Sequence, residues 1–125
     1  MPSYANTLPP LALSPGDVGF SFSNEAVPAS ATAGAQFALP HPTGVPEQSR
    51  AVRWQTLFGT APTAINVSLQ GATADVDAEY KDIDTSSNTA GEARTATGVQ
   101  ANFLRIKVNS STVGSGAGFT AKLLV

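Results

Sequence analysis

The 125-residue sequence contains no cysteine and few charged residues. The lack of cysteine excludes disulfide bridges and thiolate metal sites, and it leaves the redox compartment open. Charged side chains make up 13% of the chain, which is about half of the share usual for a soluble protein. The surface must therefore be built largely from Ser, Thr, Asn, Gln, Ala and Gly. Such a surface suits an all-β protein and a protein that is covered by partners.

Long apolar runs and basic clusters are also missing. No segment approaches the roughly 20 apolar residues that a membrane-spanning helix needs, and residues 1–20 lack the basic and apolar regions of a signal peptide. The net charge is −2 and the seven Lys and Arg residues are scattered, whereas a nucleic-acid-binding surface needs a basic patch. We therefore expect neither a membrane nor a nucleic acid as partner, and synthesis in the cytoplasm.

Proline divides the chain at about residue 50. Eight of the nine prolines precede that point, and only Pro62 follows it. Because proline fixes φ and removes a hydrogen-bond donor, residues 1–50 are predicted to form an extended N-terminal arm with short edge strands. The arm either wraps its own domain or lies along a neighbouring subunit. The remaining residues, 51–125, are predicted to form the folded domain.

Period-2 alternation is clearest in Gln100–Val108, which we predict to be a central antiparallel strand. In a strand, Leu104, Ile106 and Val108 share one face, and Phe103, Arg105 and Lys107 share the other. Other stretches alternate in the same way: Val18–Ser23, Val52–Phe58, Ile65–Gln70 and Phe119–Val125. Turn signals separate these stretches about every 8–12 residues. The pattern predicts an all-β fold, a small antiparallel β-sandwich or jelly-roll-like domain.

The predicted domain is small for a chain without disulfides. A domain near this size buries only about 60% of the surface that its unfolded chain exposes and is marginally stable alone. We therefore expect additional stabilisation from oligomerisation or from docking of the arm.

The carboxylates of Asp75, Asp77 and Glu79 are the one candidate for a metal site. Calcium takes six to eight oxygen ligands, often from closely spaced carboxylates. Asp75 and Asp77 would share a face of an extended strand, but no Asp-x-Asn-x-Asp-Gly loop is present. The alternative is a solvated strand edge whose charges block edge-to-edge pairing.

No catalytic constellation is evident, and we predict that the chain is not an enzyme. The single histidine, His41, stands between two prolines, and no Gly-x-Ser-x-Gly elbow accompanies it. The acidic run around Asp75–Asp84 could supply the carboxyl pair of a glycosidase only if it lined a cleft. Gly114–Gly118 lacks the Gly-Lys-Ser/Thr ending of a phosphate loop and is predicted to be a hairpin tip. No cofactor is expected.

Aromatic and arginine side chains are the candidates for binding surfaces. Trp54 and Tyr80 could stack on sugar rings, although Trp54 shares its predicted face with core residues. Phe103, Arg105 and Arg53 are predicted to make a subunit contact, since aromatics and arginine are enriched at interface hot spots. The alternative is that they pack beneath the arm. In the arm itself, the predicted contact residues are Phe20, Phe22 and Phe37.

Several segments of the second half resemble small structural proteins of tailed bacteriophages. They are Trp54-Gln55, Ile65–Gly71 (ending Leu-Gln-Gly), Ile83–Thr85, the Thr89–Glu92 loop, and Phe103–Val108 followed by a Gly-rich loop. Similar patterns occur in head decoration proteins, in tail and fibre proteins, and in sandwich-type carbohydrate-binding modules. In the last group a Trp often stands where this chain has Tyr80.

The resemblance implies a capsid decoration (cement) protein on the outer surface of a phage head. It would act as a homotrimer whose arm lies across the major capsid protein, and it would be made in the host cytoplasm. It implies no catalytic residues. A tail or fibre subunit and a glycan-binding module are the alternatives.

Overall fold

The computed structural model describes residues 11–13, 16–39 and 50–125. These residues form β-strands and a single 3-10 turn at Asp77–Glu79. The strands are β1 (Leu11–Ala12), β2 (Val18–Glu25), β3 (Thr32–Ala38), β4 (Arg50–Leu57), β5 (Ala64–Ala72), β6 (Lys81–Ser86), β7 (Ala93–Val99), β8 (Phe103–Thr112) and β9 (Phe119–Leu124).

The strands form two sheets that pack face to face as a β-sandwich. The five-stranded sheet has the order β1-β3-β8-β5-β6, and the four-stranded sheet has the order β2-β9-β4-β7. Every pairing is antiparallel except that of β1 with β3. At one edge of the sandwich β2 lies against β3, and at the other edge β6 lies against β7. The predicted fold class is confirmed.

The predicted central strand, now β8, occupies the middle of the five-stranded sheet. Leu104, Ile106 and Val108 are fully buried and point toward the other sheet, as the alternation predicted. From the four-stranded sheet, Trp54 and Leu123 meet them in the core. Burial of apolar side chains on this scale is the main stabilising contribution to the fold.

Part of the segment predicted as an arm belongs to the sandwich. Strands β2 and β3 lie in different sheets, and Phe22 and Phe37 are buried in the core at 1% and 3% exposure. These two side chains were predicted to contact a partner, but they are buried in the core of their own chain. No proline lies between Pro15 and Pro28, so residues 18–25 are free to pair with β9.

A bulge in β2 reverses the face that its aromatic residues present. The pairing with β9 shifts register between Phe20 and Phe22, and one extra residue in a strand disturbs the period-2 alternation. Phe20 is consequently 48% exposed while Phe22 is buried. The sequence placed Val18, Phe20 and Phe22 on one side, which is wrong for Phe22.

A second bulge, in β3, is closed by a hydroxyl from the opposite sheet. The pairing of β3 with β8 shifts register between Ala33 and Gln36. Ser21 of β2 reaches into this gap: its hydroxyl donates to the Ala35 carbonyl (2.8 Å) and accepts from the Ile106 amide (3.1 Å). A Cβ on Gly34 would lie 2.6 Å from the Ser21 carbonyl oxygen, so only glycine permits this approach. The two sheets are thereby joined by hydrogen bonds at one edge.

Candidate functional site

The outer face of the five-stranded sheet is covered by the chain's own polar groups. Arg105 of β8 points outward and is only 4% exposed. Its Nε donates to Gln70 Oε1 (2.9 Å), and its Nη1 forms an ion pair with Asp77 (2.8 Å). The guanidinium also lies 4.0 Å from the centre of the Tyr80 ring, a favourable cation–π geometry. Arg105 was predicted as an interface residue, but its Nε and Nη1 donors are engaged within the chain.

The β5–β6 loop lies over this face because Arg105 and Tyr80 hold it there. The Tyr80 hydroxyl donates to Asp75 (2.7 Å), and burial together with this bond raises the pKa of Tyr80 well above its usual range. Glu79 accepts a hydrogen bond from Thr73 (3.2 Å). The three carboxylates of the calcium candidate, Asp75, Asp77 and Glu79, thus have separate partners, and among the described residues no acidic or histidine cluster suited to a metal is present.

The edge of the sandwich at β6 and β7 is closed by a charged network. Arg94 of β7 forms two hydrogen bonds with the Asp84 carboxylate of β6, at 2.9 and 3.0 Å. Trp54, in the core, donates its indole N–H to the same carboxylate (2.9 Å). The bonds from Arg94 and Trp54 hold the pKa of Asp84 below its usual range. Glu92 joins the network through Arg94 and through the Ser86 hydroxyl.

Both predicted sugar-stacking residues are engaged within the chain, Trp54 by this network and Tyr80 by Asp75 and Arg105. Trp54 is buried at 1% exposure with its indole N–H engaged by Asp84. Tyr80 is also buried, with one side of its ring against Arg105. The exposed aromatic platform that a glycan-binding module would need from Trp54 or Tyr80 is therefore not formed by these residues.

The outer face of the four-stranded sheet is different, because apolar side chains remain uncovered there. The register of β2, β9 and β4 places seven neighbouring side chains at outward positions, which we call the exposed face: Val18, Phe20, Arg53, Gln55, Leu57, Lys122 and Leu124. Four of the seven large hydrophobic residues that are exposed in the described chain lie in this group. Contiguous exposed apolar surface marks an interaction site more often than scattered apolar residues do.

The charges on the exposed face are all of one sign. Arg53 and Lys122 contribute two cations, and none of the outward positions that the register defines on β2, β9 and β4 carries a carboxylate. Lys122 Nζ lies 5.9 Å from the centre of the Phe20 ring. A shallow depression of about 200 Å³ separates Val18 from Arg53. The face is suited to a partner that combines apolar and acidic groups.

A second depression of about 290 Å³, which we call the edge groove, lies at the opposite edge of the sandwich. Its apolar lining comes from Gly71, Ile83, Val99 and Ala101, and Glu79, Lys81 and Asp82 stand among its polar lining residues. Ile83 is 37% exposed. Between residues 73 and 84 the sequence has five carboxylates and one lysine, so the groove adjoins the most acidic part of the chain.

The structure brings only part of the predicted interface together. Phe20 and Arg53 lie on the exposed face, on β2 and β4 with β9 between them. Phe103 lies on the other sheet, half-buried opposite Ala38 and Ala72. His41, the single histidine considered for catalysis, lies outside the described residues. The prediction of a hairpin tip at Gly114–Gly118 is wrong, because the segment connects β8 and β9, which lie in different sheets, and Ala117 bridges to Thr60.

Val18, Lys122 and Leu124 were missed as interface residues. The alternation of β9 places Leu124 outward, next to the predicted core positions Leu123 and Val125. Only the order of strands shows that Val18 and Leu124 are direct neighbours. No local signal in the sequence encodes that pairing.

Comparison with known proteins gives no assignment: the chain matches no protein-family model and no curated protein. Among the residues that the structure describes, no helix has the length and apolar character to span a membrane.

Proposed function

We propose that this protein is a structural component of a tailed-bacteriophage virion, a decoration protein that binds and stabilises the outer surface of the head. The observation that carries the proposal is the exposed face, on which four exposed apolar side chains lie together with Arg53 and Lys122. The other large hydrophobic residues that are exposed in the described chain, Leu11, Val76 and Ile83, lie outside this group. The resemblance of the second half to small phage virion proteins is the reason for proposing a phage head as the binding partner.

The mechanism is adhesion. Burying apolar surface contributes roughly 25 cal/mol per Å² to the free energy of binding. For a single copy, the loss of translational freedom on binding offsets part of this contribution. A homotrimer attaches at several points at once, and multivalency raises the effective affinity without new contacts. In this proposal the protein is made in the host cytoplasm and binds the major capsid protein on the assembled shell.

Deleting residues 1–50 would test whether the predicted arm is needed for binding, but that deletion would also remove β2, β3 and the core residues Phe22 and Phe37. Point variants of the full chain are the better tool. Phe20→Ser combined with Leu124→Ser removes two apolar side chains of the exposed face and leaves the core untouched. Lys107→Ser, on the outer face of the other sheet, is the matched control.

Co-sedimentation with purified heads that lack decoration protein tests the proposal. The wild-type chain and Lys107→Ser should sediment with heads, and the double variant should remain in the supernatant. Failure of the wild-type chain to bind heads overturns the proposal. Binding to isolated tails in place of heads would instead favour the tail or fibre alternative.

A further inference from the structure

We propose that the exposed face is an interface between copies of this chain, in which Phe20 of one copy inserts into the edge groove of the next. This rests on the proposed function only in taking the exposed face as an assembly contact. It places a second copy, and not the major capsid protein, against Phe20, so that head binding depends on the assembly of copies that this contact forms.

Each copy leaves two surfaces uncovered, the exposed face and the edge groove. Phe20 is the largest exposed apolar side chain of the described residues, and Lys122 stands beside its ring. The edge groove has the complementary features: an apolar lining that includes Ile83, and two carboxylates, Glu79 and Asp82, against one cation, Lys81. Its volume of about 290 Å³ is ample for an aromatic ring. An aromatic anchor in a pocket, next to a charge pair, is the usual composition of an interface hot spot.

The positions of the two surfaces make the contact head-to-tail. Phe20 lies on β2, an edge strand of the four-stranded sheet, whereas Ile83 and Val99 lie on β6 and β7 at the other edge of the sandwich. A contact between two different surfaces leaves each copy with one of each still free. Such heterologous contacts close into rings when the rotation permits and otherwise extend as chains. A trimeric ring is the closed form that the proposed function calls for.

Pairing of strand edges between copies is a poorer explanation. β2 carries register shifts on both sides of Phe22, and bulges disturb the regular row of backbone groups that a new strand needs. β6 has Lys81 and Asp82 at its start, and charged residues at an edge oppose strand addition. Insertion of Phe20 into the edge groove does not require backbone pairing at the edge of β2 or of β6.

Charge reversal tests the proposal in the full-length chain. Glu79 is exposed and Lys122 is half-buried at the surface, and far-UV circular dichroism with thermal unfolding verifies that the Lys122→Glu and Glu79→Lys variants are folded. Analytical ultracentrifugation over a wide concentration range measures self-association. Each single variant should weaken self-association about tenfold or more, and the two changes in one chain should restore it, since the opposite charges again face each other. Phe20→Ser should also weaken it, while Lys107→Glu should not.

The outcomes separate this inference from the proposed function. If the wild-type chain is monomeric at all concentrations, or if Lys122→Glu weakens head binding while Glu79→Lys changes nothing, the occupant of the exposed face is another protein and the inference is overturned. If self-association follows the charge-reversal pattern but no variant and no wild-type chain binds heads, the inference stands and the decoration function fails.

Discussion

The two outer faces of the sandwich differ in how their side chains are satisfied. On the five-stranded sheet, Arg105 is hydrogen-bonded to Gln70 and Asp77 and lies against Tyr80, beneath the β5–β6 loop. On the four-stranded sheet, Phe20 and Leu124 face outward and are 48% and 38% exposed. One face is covered by groups of the same chain, whereas the other leaves apolar side chains exposed, and in our proposal a partner covers them. Substitutions on the first should therefore change stability, and substitutions on the second should change association.

Outside the apolar core, the largest effect on stability is expected from Arg105→Ala. Removing the guanidinium leaves Gln70 with an unmatched buried acceptor and removes the support of Tyr80 and the loop, at a cost of about 2–4 kcal/mol in the free energy of unfolding. Urea unfolding measures this, and Lys107→Ala, two residues along the same strand, should remain within about 0.5 kcal/mol of wild type. Equal stabilities of the two variants would show that the covered face is not held by Arg105.

A somewhat smaller loss is expected from Ser21→Ala, which breaks the link between the sheets. The Ile106 amide and the Ala35 carbonyl would lose their shared partner in a buried place, which costs about 1–3 kcal/mol. Ser23→Ala removes an exposed hydroxyl from the same strand and serves as the control. A loss of the same size in both variants would contradict the role given to Ser21.

A pH-dependent effect is expected from Asp84. Its pKa is lowered from the usual 3.8 by its bonds to Arg94 and Trp54, so the folded state binds the proton more weakly than the unfolded state does. Its stabilising contribution is therefore present above about pH 4 and is lost as the pH falls toward the lowered folded-state pKa. Urea unfolding between neutral pH and pH 3 should show a shallower acid decline for Asp84→Asn than for wild type. Identical declines would mean that Asp84 does not contribute.

The smallest change in stability is expected from Phe20→Ala on the exposed face. A side chain that is already half-exposed loses little burial, so the free energy of unfolding of the monomer should change by less than about 1 kcal/mol. Phe22→Ala, two residues away but in the core, should cost about 3–5 kcal/mol. Measured in the same urea series, a large loss for Phe20→Ala would show that this ring packs within its own chain.

The sequence predicted the fold because its signal is local. Alternation in 104–108 and in 65–69 identified buried faces, since successive strand side chains point to opposite sides. The bulges were not predictable in this way: the extra residue near Phe22 and the shift in β3 depend on which strands pair. The same holds for Arg105, whose alternation marked an outward position but not the loop that covers it. Of the candidate interface, Phe20 and Arg53 were found from residue type, and their neighbours emerged only from strand order.

Hydroxyl-radical footprinting of the free and the head-bound protein shows whether the exposed face is covered in the assembly, since it reports the exposure of individual side chains. We expect Phe20 and Leu124 to be labelled in dilute solution and protected on heads, and Tyr80 to be protected in both states. Equal labelling of Phe20 in the free and the bound protein would contradict it, because the exposed face would then have no partner in the assembly.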